Sequence, residues 1–264
     1  MARTMQKMNK KEIVDKIATE KEDKILVSHL LDLDLKASAR GFTASSGFLD
    51  LNRKSMIDEA RKYFNCTLCF FGGYEDAERK AVYFLPDENS LPDYSDLAVL
   101  TSKTLSPVSH RDVLGSLMSL GIDRSLVGDI LISPSQVQIM IKKEISQFIV
   151  QNFLRAGKVH LSFEISDISN IQESEKRTKE ISGTIKSLRL DSVLSLAFSI
   201  SRTASKDFIL ASKVFVNDKC ITKSDFALKE GDKLTLRGKG KAFLKEIGSL
   251  SRKERIFITI EKYI

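Results

Sequence analysis

The chain has little of what marks secreted, metal-bound or membrane-spanning proteins. Its three cysteines are an odd number without the spacing of a disulfide framework, which predicts a reduced cytosolic protein. No run of about 18 apolar residues occurs, so no membrane span or membrane contact is expected. The first residues, Met1 to Lys7, lack the apolar core of a secretory signal. We therefore expect a cytoplasmic protein.

Cysteine and histidine, the usual ligands of zinc, are equally scarce. The three histidines are not paired at ligand spacing, and the only cysteine pair is Cys66-x-x-Cys69. A zinc site needs four ligands, and the third cysteine, Cys220, lies far along the chain. A redox pair usually begins a helix, whose dipole lowers the thiol pKa, whereas this pair runs into an apolar strand. The pattern predicts burial of these cysteines, with no metal and no cofactor.

The length of 264 residues and the 42% hydrophobic content predict two or three domains with real cores. For residues 1–90 the patterns predict a mixed α/β domain, with helices over 10–29 and 51–64, a turn or helix over 32–39, a loop over 42–47, and strands over 67–71 and 81–85. Residues 166–179 are polar with mixed charges, which predicts a linker or an edge segment. The overall fold class is therefore α+β.

Residues 91–170 predict a ferredoxin-like plait, similar in plan to RNA-recognition domains. The expected order is βαββαβ, with strands over 97–101, 128–132, 136–141 and 159–165, and helices over 107–120 and 144–155. The aromatic residues that stack bases in RNA-recognition domains are absent from the central strands. RNA binding by this sheet is therefore not indicated.

Basic residues are concentrated near the C-terminal end. Residues 186–245 contain thirteen basic and six acidic residues, a net charge of +7, which equals that of the whole chain. Residues 1–185 carry a net charge of −1. Clustered Lys and Arg neutralise phosphates and release counterions, which supplies most nonspecific affinity for nucleic acid. A solvated basic face without a partner is the alternative.

Within this basic stretch, helical and strand patterns predict two short helices and a small sheet. Ser201 suits a helix N-cap, and Arg202 and Lys206 are four apart and share one helix face. The ordered motif reads Arg189-Leu190-Asp191, Ser201-Arg202, Lys206, Lys213-Val214, Val216-Asn217 and Gly231-Asp232.

This motif resembles the S4 RNA-binding module, a small α+β domain of the αL type, and we place it at residues 180–264. Two positions depart from the family pattern, because Ser212 and Asp218 stand where glycine is usual. Glycine adopts positive φ at no steric cost, whereas Asp tolerates it less easily, so these departures bear on the geometry of the turns and not on the match as a whole.

Two tripeptides of the sequence resemble catalytic motifs of known enzyme classes. His110-Arg111-Asp112 resembles the catalytic loop of protein kinases, but the Gly-rich loop, strand lysine and Asp-Phe-Gly motif are missing. Arg189-Leu190-Asp191 resembles the catalytic motif of pseudouridine synthases. There, however, the catalytic domain follows the S4 module, whereas here only about seventy residues follow the tripeptide. Asp191 is better interpreted as a local partner of Arg189 or of the backbone.

The whole layout combines the N-terminal mixed domain, the plait with His110-Arg111-Asp112 and Gly128-Asp129-Ile130-Leu131, and the C-terminal S4 module with Arg237-Gly238-Lys239-Gly240. This layout resembles the YlmH family, bacterial cytosolic proteins named after a gene near the cell-division cluster. The resemblance implies RNA binding on the large ribosomal subunit and a role in rescuing stalled subunits that still hold peptidyl-tRNA.

The leading hypothesis is a non-enzymatic protein, expected to be monomeric, that binds structured rRNA or tRNA. The residues predicted to contact RNA are Arg189, Ser201, Arg202, Lys206, Lys213, Asn217, Arg237, Lys239 and Lys241. His110 and Arg111 are either a secondary phosphate contact or surface and cap groups. An RNA-modifying enzyme that uses the S4 module for delivery, and a scaffold at the division site, remain alternatives.

Overall fold

The computed structural model describes residues 8–172, 178–251 and 253–263. Internal contacts divide the chain into two compact units, with the boundary between positions 174 and 175. Each unit has hydrophobic core of its own. Within the described ranges, no helix is long and apolar enough to cross a membrane.

The first unit begins with a layer of helices over a three-stranded antiparallel sheet, ordered β1-β3-β2. Its elements are helices α1 (Lys10–Ile17) and α2 (Lys21–Arg40), strand β1 (Ala44–Leu49), helix α3 (Leu51–Glu59), a 3-10 turn (Arg61–Tyr63), and strands β2 (Thr67–Phe71) and β3 (Lys80–Leu85). Fully buried Val27 and Leu30 of α2 pack in one cluster with Val82 and Phe84 of β3. This cluster is the core of the layer.

Two expectations for this layer are wrong. Residues 44–47, expected to be part of a loop, belong to β1, and only residues 42 and 43 lie outside a strand. Ser46 is buried in β1, and its hydroxyl accepts a hydrogen bond from the Val82 amide at 3.0 Å. The expected helix over 10–29 is two helices, and the second continues to Arg40 before Gly41 ends it at φ +68°. The small polar residues of β1 resemble a loop, which explains the first difference. The charged residues at the boundary between α1 and α2 are compatible with a continuous helix, which explains the second.

The second part of this unit is a plait with the predicted βαββαβ order. Its sheet order, β5-β6-β4-β9, with every neighbouring pair antiparallel, is that of a ferredoxin-like fold. The elements are β4 (Leu97–Lys103), α4 (His110–Ser119), β5 (Val127–Ile132), β6 (Gln136–Lys142), α5 (Ser146–Asn152), β7 (Arg155–Ala156), β8 (Val159–His160) and β9 (Glu164–Ser166). The α+β fold class is therefore confirmed.

One element of the plait differs from the expectation. The last strand was expected over 159–165, but the chain first makes the small hairpin β7–β8 and then the short strand β9. Gly157 adopts φ +58° in the turn of this hairpin, a conformation that glycine reaches without steric cost.

Both faces of the plait's sheet are covered. One face packs against α4 and α5 through Leu100, Ile139 and Ile149. On the other face, Val99 and Met140 are buried in one cluster with aromatic residues of the N-terminal layer, Phe48 and Tyr83. The sheet therefore has no open face of the kind on which RNA-recognition domains stack bases.

Polar contacts add to the junction between the N-terminal layer and the plait. The Arg79 guanidinium donates to the carbonyls of Phe48 at 2.9 Å, Val127 at 3.0 Å and Arg124 at 3.1 Å. Asp129 accepts from the Tyr74 hydroxyl at 2.8 Å. These bonds and the shared core explain why the two parts form one compact unit, while their division at residue 90 stays a prediction.

The second unit is a six-stranded antiparallel sheet with two helices, in strand order β10-β15-β14-β13-β11-β12. Its elements are β10 (Thr178–Ile185), α6 (Leu190–Phe198), α7 (Arg202–Leu210), β11 (Val214–Val216), β12 (Lys219–Cys220), β13 (Lys233–Leu236), β14 (Gly240–Leu250) and β15 (Ile256–Tyr263). The two short helices are as predicted. Residues 166–179, expected to be a linker or an edge segment, end in the edge strand β10, which begins at Thr178 and pairs with β15. Residues 173–177 lie outside the described ranges.

Candidate nucleic-acid interface

A buried carboxylate organises the cationic face of the second unit. Asp191, in the first turn of α6, has a fully buried side chain. Its Oδ1 accepts from Arg189 Nε at 3.1 Å, and its Oδ2 accepts from an Arg202 guanidinium nitrogen at 2.9 Å. One carboxylate therefore holds two arginines from different elements, and the expectation that Asp191 partners Arg189 is confirmed.

The electrostatics of this cluster keep Asp191 ionised. Burial raises the pKa of Asp191, but the hydrogen bonds and charges of Arg189 and Arg202 outweigh burial and leave its pKa below the ordinary value. The arginine side chains remain accessible, at 38% exposure for Arg189 and 55% for Arg202. Each guanidinium has more donors than the carboxylate uses, so both can also contact a phosphate.

Helix α7 continues this face. The Ser201 hydroxyl accepts from the Ala204 amide at 3.0 Å, so the predicted N-cap is confirmed. Exposed Lys206 follows Arg202 by one turn. Beyond the helix, Lys213 places its ammonium 5.9 Å from the centroid of the Phe208 ring. The three cations Arg202, Lys206 and Lys213 thus follow one another along α7 and its exit.

The hairpin between β13 and β14 lies beside Lys213. The Arg237 amide donates to the Lys213 carbonyl at 2.9 Å, and Leu236 pairs with Val214. Lys239 donates its amide to the Leu236 carbonyl at 2.8 Å and closes the turn. The hairpin therefore carries its predicted RNA-binding residues, Arg237, Lys239 and Lys241, next to the end of α7.

Asn217 lies at the opposite end of β11 and has an internal role. Its side-chain amide donates to Asp232 Oδ1 at 2.8 Å, and its Oδ1 accepts from the Lys233 amide at 2.9 Å. These bonds join two turns of the sheet. Asn217 thus lies at the other end of β11 from Lys213, and its contact with RNA stays a prediction.

The two positions where the S4 pattern has glycine keep the glycine conformation. Ser212 adopts φ +55° and Asp218 adopts φ +64°, both in the left-handed region. The Asp218 carboxylate also pairs with the Lys233 ammonium at 3.0 Å. The family's turn geometry is therefore retained despite the changed residues.

His110 and Arg111 lie on the first unit, at the start of α4. Ser109 caps this helix by accepting from the Asp112 amide at 3.1 Å. Both His110 and Arg111 are exposed. The structure thus brings these two residues together but places them on a different unit from the S4 cations.

The two cysteines of the Cys-x-x-Cys pair differ in burial. Cys66 is buried, and burial together with the Asp34 carboxylate raises its pKa to about 12. Cys69 is half-buried, with its sulfur 3.4 Å from the Tyr94 hydroxyl. In the parts of the chain that the structure describes, no group of three His, Cys, Asp or Glu residues could hold a metal ion.

Comparison with known proteins agrees with this architecture. Residues 97–170 match the family described as a putative RNA-binding domain in YlmH, and residues 188–234 match the S4 domain. The chain is 30% identical over 220 residues to "Ribosome-associated protein quality control protein P2" of Bacillus subtilis (strain 168), covering 81% of this chain and 85% of that protein.

A solved structure, "Cell division protein ylmH from Streptococcus pneumoniae", aligns with 59% of this chain and 98% of its own, at 19% identity and a TM-score of 0.48. The identity and coverage of the Bacillus subtilis relative, together with the two domain matches, decide the assignment. This chain belongs to the YlmH family.

Proposed function

We propose that this protein is a cytoplasmic, non-enzymatic RNA-binding protein that binds structured rRNA or tRNA on the large ribosomal subunit. The observation that carries the proposal is the Asp191 cluster, in which one buried carboxylate holds Arg189 and Arg202 at the start of the cationic face. Lys206 and Lys213 extend this face, which is part of the only strongly basic segment of the sequence.

The geometry suits recognition of the RNA backbone by shape. Two guanidiniums fixed by one carboxylate lose little conformational freedom when a phosphate binds, because their orientation is already set. A row of cations along α7 can follow successive phosphates of a folded RNA. Backbone contacts of this kind position a protein on RNA without reading its bases.

The ribosomal part of the proposal has separate support. The Bacillus subtilis relative is named as a ribosome-associated quality control protein. We extend that role to this chain as binding to large subunits that still hold peptidyl-tRNA after stalling. An RNA-modifying reaction at Asp191 is disfavoured, because its side chain is fully buried and both oxygens accept from arginines.

The test of RNA binding compares two variants that each remove two positive charges. Arg202→Ala with Lys206→Ala removes cations of the proposed face. Lys179→Ala with Lys253→Ala removes two exposed lysines at the far edge strand β10 and in the turn after β14. Affinity for purified large subunits is measured at several salt concentrations.

We expect the first variant to bind more weakly. The fall of log K with log salt should also become less steep by about 2, because each phosphate contact contributes about 1 to the steepness. The control variant should keep the wild-type slope. Equal slopes for both variants would refute the proposed face. In sucrose gradients of lysate, the wild-type protein should sediment with large subunits at low salt and leave them at high salt; its absence from that fraction at low salt would refute the ribosomal target.

A further inference from the structure

A second group of basic side chains lies at one end of the plait. Strand β4 ends at Lys103, and α4 begins a few residues later at His110 and Arg111. The small hairpin β7–β8 contributes Arg155, Lys158 and His160. We call these six residues the hairpin cluster; all six are exposed.

The fold brings these elements to the same end of the sheet. Thr101, near the end of β4, pairs with Glu164 at the start of β9, so the preceding hairpin lies at this end. The Ser162 amide donates to the Ser102 hydroxyl at 3.0 Å. Gly157 of the hairpin lies against α4, since a Cβ at this position would be 3.4 Å from the Asp112 carboxyl carbon.

The cations of this cluster are not used to hold the fold. Among the residues that the structure describes, the side chains of Lys103, Arg111, Arg155 and Lys158 make no hydrogen bond or ion pair within the first unit. By contrast, Arg124 donates to the Val127 and Gly128 carbonyls, and the Lys142 ammonium pairs with Asp96.

The distribution of charge supports a binding role. Residues 97–170 contain seven basic and six acidic residues, so the domain is almost neutral. Four of the seven basic residues belong to the hairpin cluster. The acidic residues placed near it are Asp112, which accepts from the Ser109 hydroxyl at 2.7 Å, and Glu164 of β9. The positive charge is thus gathered at one end of an otherwise balanced domain.

We propose that the hairpin cluster is a second RNA-binding surface, which contacts the phosphate backbone of the RNA that the S4 face binds. This inference rests on the proposed function. The covered sheet supports it, because Val99, Gln138 and Met140 lie under the N-terminal layer or the segment after β9 and cannot stack bases. A domain of this family that binds RNA must therefore use another surface, and the hairpin cluster is its cationic end.

The backbone amide groups at the start of α4 are not the proposed phosphate-binding groups. Ser109 already caps this helix through the Asp112 amide. The binding groups are the exposed cations, which attract phosphate by charge and need no groove. Contacts of this kind predict little sequence preference and a marked dependence on salt.

The test uses the full-length protein and two matched variants. Arg155→Ala with Lys158→Ala removes two cations of the hairpin. Lys11→Ala with Lys143→Ala removes two exposed lysines elsewhere in the first unit, and Lys143 follows the end of β6 that pairs with Leu97, at the opposite end of β4 from Lys103. The probes are purified large ribosomal subunits and protein-free rRNA extracted from them.

For the hairpin variant, we expect the fall of log K with log salt to become less steep by about 2 with both probes. The control variant should keep the wild-type slope. Unchanged thermal unfolding of the hairpin variant establishes that the fold is intact. Weaker binding to intact subunits with unchanged binding to protein-free rRNA would overturn the proposal in favour of an acidic ribosomal protein as the partner.

The two proposals fail in different ways. If the Arg202→Ala, Lys206→Ala variant changes the slope and the hairpin variant does not, the second surface is refuted and the S4 face stands. If the hairpin variant alone changes the slope, the S4 face is refuted. If neither does, both proposals are refuted.

Discussion

At the scale of single residues, the buried carboxylate of Asp191 is expected to contribute to the stability of the second unit. This carboxylate is satisfied by Arg189 and Arg202, and both bonds involve charged groups. Asp191→Asn keeps the shape but removes the charge that holds two guanidiniums. We expect the free energy of unfolding of the second unit to fall by about 1–3 kcal/mol at neutral pH. Denaturant unfolding measures this loss, with Asp207→Asn, at an exposed position of α7, as the control.

The same variant predicts a dependence on pH. The pKa of Asp191 is lowered in the folded protein, so its ionised form contributes stability above the ordinary aspartate pKa of 3.8. That contribution is lost as the pH falls through the folded-state pKa. The stability difference between wild type and Asp191→Asn should therefore shrink below about pH 4. A difference that stays constant down to pH 2 would contradict the ion-pair explanation.

Sequence patterns identified part of this residue-level arrangement. Ser201 as a helix cap and the shared face of Arg202 and Lys206 follow from local spacing, which is why both could be predicted. The contact between Asp191 and Arg202 joins residues eleven positions apart on two helices, and helical spacing says nothing about such a pair. Asn217 likewise needed the tertiary structure, since its partners, Asp232 and Lys233, come from another turn.

At the scale of elements, two glycines allow a direct comparison of helix and turn. Gly115 lies within α4 and Gly238 in the β13–β14 hairpin at φ +80°, and a Cβ would meet no atom within 4 Å at either site. Gly115→Ala should raise the stability of the first unit by about 0.5–1 kcal/mol, because alanine loses less backbone entropy in a helix.

Gly238→Ala should lower the stability of the second unit by about 1 kcal/mol, because an L-residue is strained at positive φ. Hydrogen exchange of the two units, followed by mass spectrometry, measures both effects in the intact protein. Effects of the same sign at both sites would mean that backbone conformation does not decide whether a Gly→Ala substitution raises or lowers stability. The turn that carries Arg237 and Lys239 would then not depend on glycine.

Elements with strong periodicity were predicted and those with weak periodicity were not. The strands of the plait are apolar runs between turn signals, so their order follows from the sequence. Strand β1 reads Ala44-Ser45-Ser46-Gly47 at its start, which resembles a loop until Ser46 is seen to bond the Val82 amide. The β7–β8 hairpin has two-residue strands, too short for any periodic signal.

At the scale of the whole molecule, the two cationic surfaces predict a combined effect. If both contact one RNA at the same time, the second contact becomes intramolecular and strengthens the first. A fourfold variant combines the two pairs of Ala substitutions, at Arg155 and Lys158 and at Arg202 and Lys206. Its log K should fall with log salt less steeply than that of the wild type by about 4, the sum of the two pairs. Isothermal titration at several salt concentrations measures this sum. A slope equal to that of the Arg202, Lys206 pair alone would mean that the surfaces do not bind the RNA together.

Domain organisation was only partly accessible from the sequence. The linker-like residues 91–95 suggest a boundary at residue 90, and the S4 module is recognisable from its ordered motif. Compactness depends on contacts between distant residues, such as Arg79 with Val127 and Phe48 with Met140, which composition does not reveal. This is the reason that the first unit is compact across the suggested boundary.

The covered sheet of the plait has a consequence for how this protein can be divided. A fragment that begins at residue 91 would keep every strand of the plait, yet it would bare Val99 and Met140 and leave the Asp129 carboxylate without Tyr74. In such a fragment, apolar side chains that are buried in the intact protein would form an exposed surface prone to association. The N-terminal layer is thus a cover for the plait that is built into the same compact unit.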